Sequence, residues 1–497
     1  MSSEPTIIIG AGLAGLSAAV ALSAKGERVI LLEKEAEVGG KMRRQPVGNH
    51  HVDAGPTVFT MKWVFERLFA MGNADFETQV PLKKADTLAR HAWDDSDVFD
   101  LFADQKQSED EVTRFFGRKN AEGYRRFCKD SAAIFDTLKD TYIAAPCPSP
   151  TQLAARVGFT KVSKLMALKP LQTLWRSLGS YFPDQRLQQL FGRYATYVGS
   201  SPFMAPATLM LIAHVEQDGV WLVKGGMHGL ARAMAKLAAA QGADIRLGAD
   251  IAEILTEGRQ SVGVRLADGE ELRSGRILYC GDVSRLVRPF LASPAMADAA
   301  VAPSKRSLSA VTWSVSAQTS GFPLKRHNVF FSSDYAREFE ALTKHRRIPE
   351  DPTVYVCAQD QEEDVPLASG AAERMLFLIN APAFGDRKRL NEEEISQCLE
   401  MTQSRLAQCG LTVDLATAQI EATQPADFET LFPSSGGALY GRASHGWTAS
   451  FARPGTKSPI KGLYLAGGSV HPGAGVPMAT LSGMLAAEQI LKDHALT

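Results

Sequence analysis

The stretch TIIIGAGLAGLSAAVALSA, residues 6–24, contains the pattern that decides the fold. Its first residues form a β-branched apolar run, which is typical of a buried parallel strand. A loop with the spacing GxGxxG follows, with glycine at positions 10, 12 and 15. In such a loop the glycines permit a tight turn, close approach of the backbone to a pyrophosphate, and close packing of helix on strand. The start of the next helix then offers free N–H groups and a positive dipole end to phosphates.

The residues that follow supply the context that a glycine loop needs. RVILLE, residues 28–33, is a second apolar strand that ends at Glu33. Glu33 lies 18 positions after Gly15 (33 minus 15), where an acidic side chain accepts hydrogen bonds from ribose hydroxyl groups. The alternative interpretation is a surface glutamate at a strand end. The two strands and the loop together predict a dinucleotide-binding fold.

A second set of glycines favours FAD over NAD as the cofactor. GGKMR, residues 39–43, predicts a flexible cationic loop, and DAGP, residues 53–56, predicts another tight backbone passage. A simple NAD site does not need these loops, and an ordinary surface loop is the alternative. The two loops resemble the extended FAD signature of the flavin amine-oxidase and phytoene-desaturase superfamily.

The closing stretch GLYLAGGSVHPGAGVPMATLSG, residues 462–483, repeats the design of the opening one. An apolar strand runs into GGS at 467–469, whose backbone N–H groups can approach a phosphate or a ribityl chain. Pro477 then stands in the first turn of a small-residue helix, whose start can face the flavin edge that gains negative charge on reduction. A strand–loop–helix unit without a ligand is the alternative. We expect the first end of the chain to bind the ADP half of FAD and the last end to bind the riboflavin half.

The order of these patterns predicts an α/β protein with two interleaved domains, since 497 residues exceed one compact core. We expect a Rossmann-type FAD-binding domain and a mixed α+β substrate-binding domain, the latter with a helical, membrane-facing part at 108–200. The FAD-binding domain is assigned to residues 1–80, 221–290 and 420–497. The substrate-binding domain is assigned to residues 81–220 and 291–419.

Finer patterns predict individual elements in these domains. Asp268-Gly269 is typical of a hairpin turn, and residues 391–408 have the spacing of an amphipathic helix with an acidic first turn. Apolar runs predict strands at 309–316, 328–332, 353–358 and 374–381.

Composition and charge exclude several classes of protein. The formal net charge of −1 gives none of the basic excess that nucleic-acid binding requires. The six cysteines form no CxxC pair, so we expect neither a metal site nor a disulfide framework, and a reducing compartment fits. We see neither a secretory signal nor a run of about 18 uncharged apolar residues. We therefore expect a cytoplasmic protein that is peripherally associated with the inner membrane.

Three stretches resemble the bacterial carotenoid desaturases of the phytoene-desaturase type. They are DAGPTVFT at 53–60, the segment 194–238 that begins YATYVGSSPF, and the closing stretch at 462–483. The resemblance runs from end to end and is weakest over about 290–415. Within that family, the closing stretch is most similar to the 1-hydroxycarotenoid 3,4-desaturases (methoxyneurosporene dehydrogenases) of purple bacteria.

The resemblance implies a set of FAD-binding residues and a substrate. The substrate is a C40 carotenoid taken from the bilayer, and the product carries a new C3–C4 double bond in an acyclic 1-hydroxy- or 1-methoxycarotenoid such as hydroxyneurosporene. An adenine contact is implied from the backbone near Ile251. The remaining FAD contacts are implied at Gly10, Gly12, Ala14, Gly15, Glu33, Lys34, Gly40, Lys41, Met42, Gly55, Pro56, Thr57, Gly468, Ser469, Pro477 and Met478.

The catalytic residues stay unknown from the sequence. Hydride loss beside a long polyene leaves a delocalised cation, so the proton leaves without a strong base and positioning dominates catalysis. Glu216 and Asp218 are candidate bases and His471 lies near the expected flavin, with a structural role as the alternative for each. Residues 161–182 mix cations with apolar side chains, which on a helix suits a bilayer interface or, alternatively, a cap on the substrate domain.

Rival functions remain open at this stage. They are a phytoene desaturase acting at another step, an amine oxidase, a redox-neutral carotenoid isomerase, and a lipid-binding escort that resembles the GDP-dissociation inhibitors. The closing stretch lacks the aromatic cage that amine oxidation usually requires. The partial glycine loop GGMHGLARA, residues 225–233, follows no clear Rossmann strand. We therefore expect electrons to pass to a quinone or to oxygen and not to a bound nicotinamide.

Overall fold

A computed structural model describes residues 4–158, 162–291, 293–361, 368 and 370–495. The strands in this part of the chain are β1 (Thr6–Ile9), β2 (Val29–Leu32), β3 (Arg44–Val47), β4 (His50–Asp53), β5 (Leu82–Lys84), β6 (Thr87–Ala92), β7 (Val98–Phe102), β8 (Trp221–Val223), β9 (Asp244–Arg246), β10 (Ile251–Glu257), β11 (Gln260–Leu266), β12 (Glu271–Arg273), β13 (Ile277–Tyr279), β14 (Ser309–Ala317), β15 (Thr319–Ser320), β16 (His327–Phe330), β17 (Val354–Ala358), β18 (Glu373–Ala381), β19 (Thr412–Val413), β20 (Gln419–Thr423) and β21 (Leu463–Leu465). The α-helices are α1 (Leu13–Ser23), α2 (Lys62–Met71), α3 (Phe76–Gln79), α4 (Gln105–Phe116), α5 (Arg118–Leu138), α6 (Pro150–Val157), α7 (Val162–Ala167), α8 (Leu174–Gly179), α9 (Gln185–Gly192), α10 (Leu211–Asp218), α11 (His228–Ala240), α12 (Tyr335–Glu340), α13 (Glu392–Gln408), α14 (Pro425–Leu431) and α15 (Val476–His494).

A five-stranded parallel sheet joins the two ends of the chain. Its strand order is β21-β13-β1-β2-β9, and β1 pairs in parallel with both β13 and β2. Every residue of β1 and β2 is buried, which is typical of a parallel sheet covered on both faces. The strand–loop–helix units predicted at both ends are confirmed, and they lie side by side with only β13 between their strands. The Rossmann-type α/β fold is therefore confirmed.

A mixed seven-stranded sheet has the order β20-β14-β18-β17-β16-β6-β7. The strands predicted in the 309–381 region are confirmed as β14, β16, β17 and β18. One face of this sheet packs into an apolar core with α13, which begins at a capping box between Asn391 and Glu394. The other face carries Val329, Tyr355 and Leu378, which register places next to one another. The predicted hairpin is also confirmed, since β11 and β12 pair across Asp268-Gly269.

The basic and apolar stretch at 161–182 does not form one helix. In its described part, α7 and α8 are two short helices separated by residues 168–173. Lys169 has a left-handed backbone (φ 49°) and Pro170 has no N–H group to donate, so the helix cannot continue through them. Lys161 lies outside the described residues. None of the helices in the described part of the chain is long and apolar enough to cross a membrane.

Candidate active site

In the N-terminal glycine loop, the fold requires glycine at one position and leaves open space for a ligand at another. A Cβ atom on Gly15 would lie 2.0 Å from the carbonyl oxygen of Gly10, so the contact between α1 and β1 requires glycine there. A Cβ atom on Gly12 would come no closer than 3.9 Å to another residue, at Gly40 Cα, and Gly12 has an ordinary φ of −72°. The protein alone therefore does not require glycine at position 12. Space left open at the start of α1 is what a bound pyrophosphate needs.

Glu33 holds the loop through both carboxylate oxygens. Oε2 accepts a hydrogen bond from the Ala11 N–H group at 2.7 Å, and Oε1 accepts one from Glu35 N–H at 3.1 Å. The side chain is buried, and burial raises the pKa of Glu33 although both N–H groups oppose the shift. Its placement beside the glycine loop is as expected, whereas the contact with ribose stays a prediction. Lys34 points away and bonds to Glu35 and to the Thr430 carbonyl oxygen.

The GGKMR loop packs directly on the first glycine loop. Gly39 N–H donates to the Ala11 carbonyl oxygen at 2.8 Å, and a Cβ on Gly40 would lie 3.1 Å from Gly12 Cα. A Cβ on Gly55 would lie 1.9 Å from the Lys41 carbonyl oxygen, so the DAGP loop contacts this one without intervening side chains. The predicted loop residues therefore come together, except that Met42 is buried on the protein side.

The C-terminal loop reaches the same edge of the parallel sheet. A Cβ on Gly467 would lie 3.2 Å from the Cys280 carbonyl oxygen, and one on Gly10 would lie 3.7 Å from Cys280 Cβ. Cys280 directly follows β13, so both glycine loops flank the carboxyl end of that strand. Ser469 Oγ accepts the Val283 N–H group at 3.2 Å. Carboxyl ends of parallel strands are where α/β sheets bind their ligands.

Helices α1 and α15 pack against each other behind the two loops. A Cβ on Gly483 would lie 2.0 Å from the Ala14 carbonyl oxygen, and Ser17 Oγ donates to the Thr480 carbonyl oxygen at 2.9 Å. The starts of both helices are thereby fixed relative to each other. Ile251 begins β10 on the Glu33 side, where Ala249 N–H donates to the Glu33 carbonyl oxygen at 2.8 Å.

A partly buried lysine and a buried arginine stand beside these loops. Lys41 Nζ donates to the Leu439 carbonyl oxygen at 2.6 Å, and Arg453 donates to the carbonyl oxygen of Gly468 at 2.8 Å. Burial lowers the pKa of both side chains, and the charge of Asp282 opposes the shift in each. One carboxylate thus faces two cations, which leaves an excess of positive charge suited to an anionic ligand. Arg453 was missed in the sequence, because an isolated arginine in a loop carries no motif.

The predicted cofactor loops are the stretches at 10–15, 39–43, 53–56 and 467–478, and a cavity of about 670 Å³ borders the last two of them. Val329, Leu376 and Leu378 of the seven-stranded sheet line one wall, and α10 lines another. Leu171 and Trp447 also line it, and they are 83% and 49% exposed, so they mark its mouth. The predicted cofactor residues that border this cavity are Gly55, Pro56, Thr57, Pro477 and Met478.

A polar network interrupts the apolar lining. Glu216 is 3% exposed and accepts hydrogen bonds from Tyr194 at 2.6 Å and from Tyr197 at 2.5 Å. Arg193 Nη1 donates to Tyr197 Oη at 2.9 Å, and the guanidinium group lies over both tyrosine rings. Among the described residues that line the cavity, Glu216 is the only carboxylate. Of the candidate bases, Glu216 therefore faces the cavity, whereas Asp218 is exposed on another side of α10.

His471 holds the C-terminal loop in place. Its Nε2 lies 3.0 Å from the Tyr142 carbonyl oxygen and 2.9 Å from that of Ala145, so it donates its proton there. Burial lowers the pKa of His471 to about 4, which leaves the ring neutral. His471 is not among the described residues that line the cavity. The geometry favours the structural interpretation over the catalytic one.

Comparison with known proteins agrees with this geometry. Residues 13–491 match the family described as flavin-containing amine oxidoreductases. A protein of Rubrivivax gelatinosus named hydroxyneurosporene desaturase is 48% identical over 98% of this chain and 93% of its own. One of the same name from Cereibacter sphaeroides is 42% identical over 98% of both chains. A solved putrescine oxidase variant has the same fold, with a TM-score of 0.61, 13% identity and 99% of both chains covered.

Proposed function

Because this chain belongs to the family of flavin-containing amine oxidoreductases, we propose that it is an FAD-dependent carotenoid desaturase. The proposed reaction introduces a C3–C4 double bond into an acyclic 1-hydroxy- or 1-methoxycarotenoid of the hydroxyneurosporene type. The observation that carries the proposal is the apolar cavity that begins at the cofactor loops and ends at an exposed apolar mouth. The names and near-complete coverage of the relatives from two purple bacteria support the same substrate.

We infer FAD, as distinct from a smaller flavin, from the first end of the chain. The open space at Gly12 and the uncapped start of α1 fit a pyrophosphate, which a mononucleotide lacks. Lys41 and Arg453 would balance its charge, and Glu33 and the backbone near Ile251 would hold the ribose and adenine. At the other end, Gly468, Ser469 and the start of α15 would hold the riboflavin half.

The chain's own residues then supply positioning and a dry site. When bound, FAD supplies the oxidant that accepts a hydride from the substrate. The apolar walls exclude water and align the polyene along the cavity, so that one C–H bond faces the cofactor loops. Glu216 is the only described carboxylate on the wall that can take up a proton. Electrons would leave to a quinone or to oxygen, since GGMHGLARA follows β8, which pairs antiparallel with β5 outside the parallel sheet.

We also propose the domain division and the membrane contact. The strands of the parallel sheet come from residues 6–32, 244–279 and 463–465, which supports a discontinuous FAD-binding domain at 1–80, 221–290 and 420–497. Exposed apolar residues gather at the cavity mouth: Leu171 and Trp447 line it, and Gly446 N–H bonds to the carbonyl oxygen of the exposed Met204. This patch would rest on the cytoplasmic surface of the inner membrane, from which the substrate enters.

The deciding experiment offers 1-hydroxyneurosporene and phytoene in separate liposome preparations to the purified holoenzyme. The proposal predicts a red-shifted product that has lost two hydrogens from the hydroxylated substrate, and little conversion of phytoene. A product of unchanged mass would instead indicate an isomerase. Conversion of phytoene alone would indicate another desaturation step. A colourless protein without flavin would support a lipid-binding escort.

A further inference from the structure

We propose that the buried carboxylate of Glu216, held by Tyr194 and Tyr197 beside Arg193, binds the C1 hydroxyl group of the substrate. It would thereby act as the residue that selects hydroxylated over unhydroxylated carotenoids. This inference rests on the proposed function, and it concerns which atoms of the chain recognise the polar end of the substrate.

The reaction itself fixes where such a partner must lie. C1 is two bonds from C3, and each C–C bond is about 1.5 Å long, so the C1 oxygen lies within roughly 4 Å of C3. A hydrogen-bond partner adds about 2.8 Å. The group that binds the hydroxyl is therefore within about 7 Å of the reacting carbon. It must stand beside the cofactor loops, and not at the mouth of the cavity.

The Glu216 network and the Gly55-Pro56-Thr57 passage line the same cavity. Thr57, which continues the Gly55-Pro56 passage of the cofactor loops, bonds to the Tyr355 hydroxyl group at 2.7 Å. Tyr355 and Tyr197 both line the cavity. Tyr197 in turn bonds to Glu216. We therefore infer that the carboxylate is within reach of a chain end seated at these loops.

The network has unused acceptor capacity and no unused tyrosine proton. A carboxylate offers about four lone-pair sites, and the two tyrosines use one on each oxygen of Glu216. Both tyrosine hydroxyl protons are spent on Glu216, and Tyr197 Oη also accepts from Arg193. Glu216 offers an uncharged ligand an acceptor, which a tertiary alcohol can use by donating its proton, and Arg193 beside it keeps a buried Nε–H group without a partner among the described residues.

An unhydroxylated chain end would leave the remaining lone pairs of Glu216 desolvated and unused. A hydrogen bond to a charged group of this kind changes affinity by about tenfold to a hundredfold. A methoxy group cannot donate a proton, so the same loss applies to a 1-methoxy substrate. The network thus predicts a higher affinity for 1-hydroxy substrates than for 1-methoxy or unsubstituted ones.

The test is Glu216→Gln in the full-length holoenzyme on liposomes. The readouts are kcat and KM for 1-hydroxyneurosporene and the inhibition constant of neurosporene as a competitor, which is measurable whether or not neurosporene is converted. We expect KM for the hydroxylated substrate to rise at least tenfold while the inhibition constant of neurosporene stays within about twofold. Ser444→Ala removes one hydroxyl group from the same cavity and should leave the preference unchanged. Flavin content and Tm confirm that each variant is folded.

Other outcomes overturn the inference. If Glu216 acts only as a base, kcat falls and the preference stays. If Ser444→Ala removes the preference and Glu216→Gln does not, a different wall binds the hydroxyl. Should Glu216→Gln lose its flavin, the wild-type enzyme still decides, because equal affinity for 1-hydroxy- and 1-methoxyneurosporene contradicts recognition through a donated proton. Wild-type enzyme that fails to convert 1-hydroxyneurosporene refutes the proposed function as well.

Discussion

Among changes in the glycine loops, Gly12→Val best distinguishes a loss of flavin binding from a loss of folding. A Cβ atom at position 12 meets no protein atom within 3.9 Å, and the backbone there has a φ that every residue adopts. The folded apoprotein should therefore tolerate the substitution. The side chain would occupy the space through which the pyrophosphate approaches the start of α1, so flavin binding should fail while folding does not.

The magnitude follows from the contacts that the side chain would block. A backbone N–H group bonded to a phosphate oxygen contributes about 1.5–3 kcal/mol, because the acceptor is charged. Losing one such bond weakens binding by roughly tenfold to 150-fold, and losing two multiplies the effect. The cost to the apoprotein is that of a poorer N-cap residue, on the order of 1 kcal/mol or less.

The assay compares three variants by flavin absorbance per protein after purification, by FAD titration of the apoprotein, and by urea unfolding. Gly179→Val is the matched control, since a Cβ there would also come no closer than 3.9 Å to another residue, at Gln188 Oε1, and Gly179 ends α8 outside the cofactor loops. Gly15→Ala is the opposite case, because its Cβ would overlap the Gly10 carbonyl oxygen at 2.0 Å and should destabilise the fold itself. Full flavin occupancy in Gly12→Val, or unfolding as severe as in Gly15→Ala, would refute the assignment of this loop.

Three further predictions test other parts of the molecule. Glu33→Gln should weaken FAD binding by about 1–3 kcal/mol. It should also lower the free energy of unfolding, because the new amide NH₂ group would face the N–H group of Ala11 or Glu35. Unchanged FAD titration and urea unfolding curves would contradict this prediction. Leu171→Glu with Trp447→Glu should release the protein from vesicles in a flotation assay, whereas Leu247→Glu, at an exposed leucine after β9, should not; equal release would move the membrane contact elsewhere. Burial raises the pKa of Glu338 to about 7, so its contribution to the free energy of unfolding should fall by about 3 kcal/mol as the pH rises from 4.5 to 7. Urea unfolding at pH 5 and 7.5 measures this loss, and Glu338→Gln should remove it.

The sequence predicted the tight backbone packing of the glycine loops because short-range constraints determine it, and the contact of these loops with a cofactor stays a prediction. Gly15 and Gly55 each approach a carbonyl oxygen within about 2 Å of where a Cβ would stand, and such requirements leave a direct trace in residue type. Alternating apolar runs in the same way predicted β14 and β18. The interpretation of residues 161–182 as one interfacial helix is wrong. It was based on composition, although Pro170 already indicated a break in the helix. Lys169 bonds to Tyr181 and Asp130 and is not free to face headgroups.

The substrate side of the site left a weaker trace in the sequence. Arg193, Glu216 and Tyr355 come from a helical turn, a helix and a strand, and only the tertiary fold brings them to one cavity. Their spacing along the chain has no period, so no local pattern marks them. Glu216 was a candidate base, and its burial and two tyrosine partners were out of reach of sequence reasoning.

The position of the polar network bears on the order in which the substrate enters. The mouth is apolar and exposed at Leu171 and Trp447, and under the proposal the Glu216 carboxylate lies deeper, beside the cofactor loops. A carotenoid with one hydroxylated end would have to pass that end through the apolar part first, and it regains a hydrogen bond only at Glu216. The hydroxyl group loses its water when it enters the apolar cavity. This desolvation cost is offset only when the substrate is fully inserted, with C3 and C4 beside the cofactor loops. A chain stopped short of that register keeps an unpaired hydroxyl group in an apolar wall. The same hydrogen bond that selects the substrate would therefore also select the carbon atoms that react, and it would confine desaturation to the chain end.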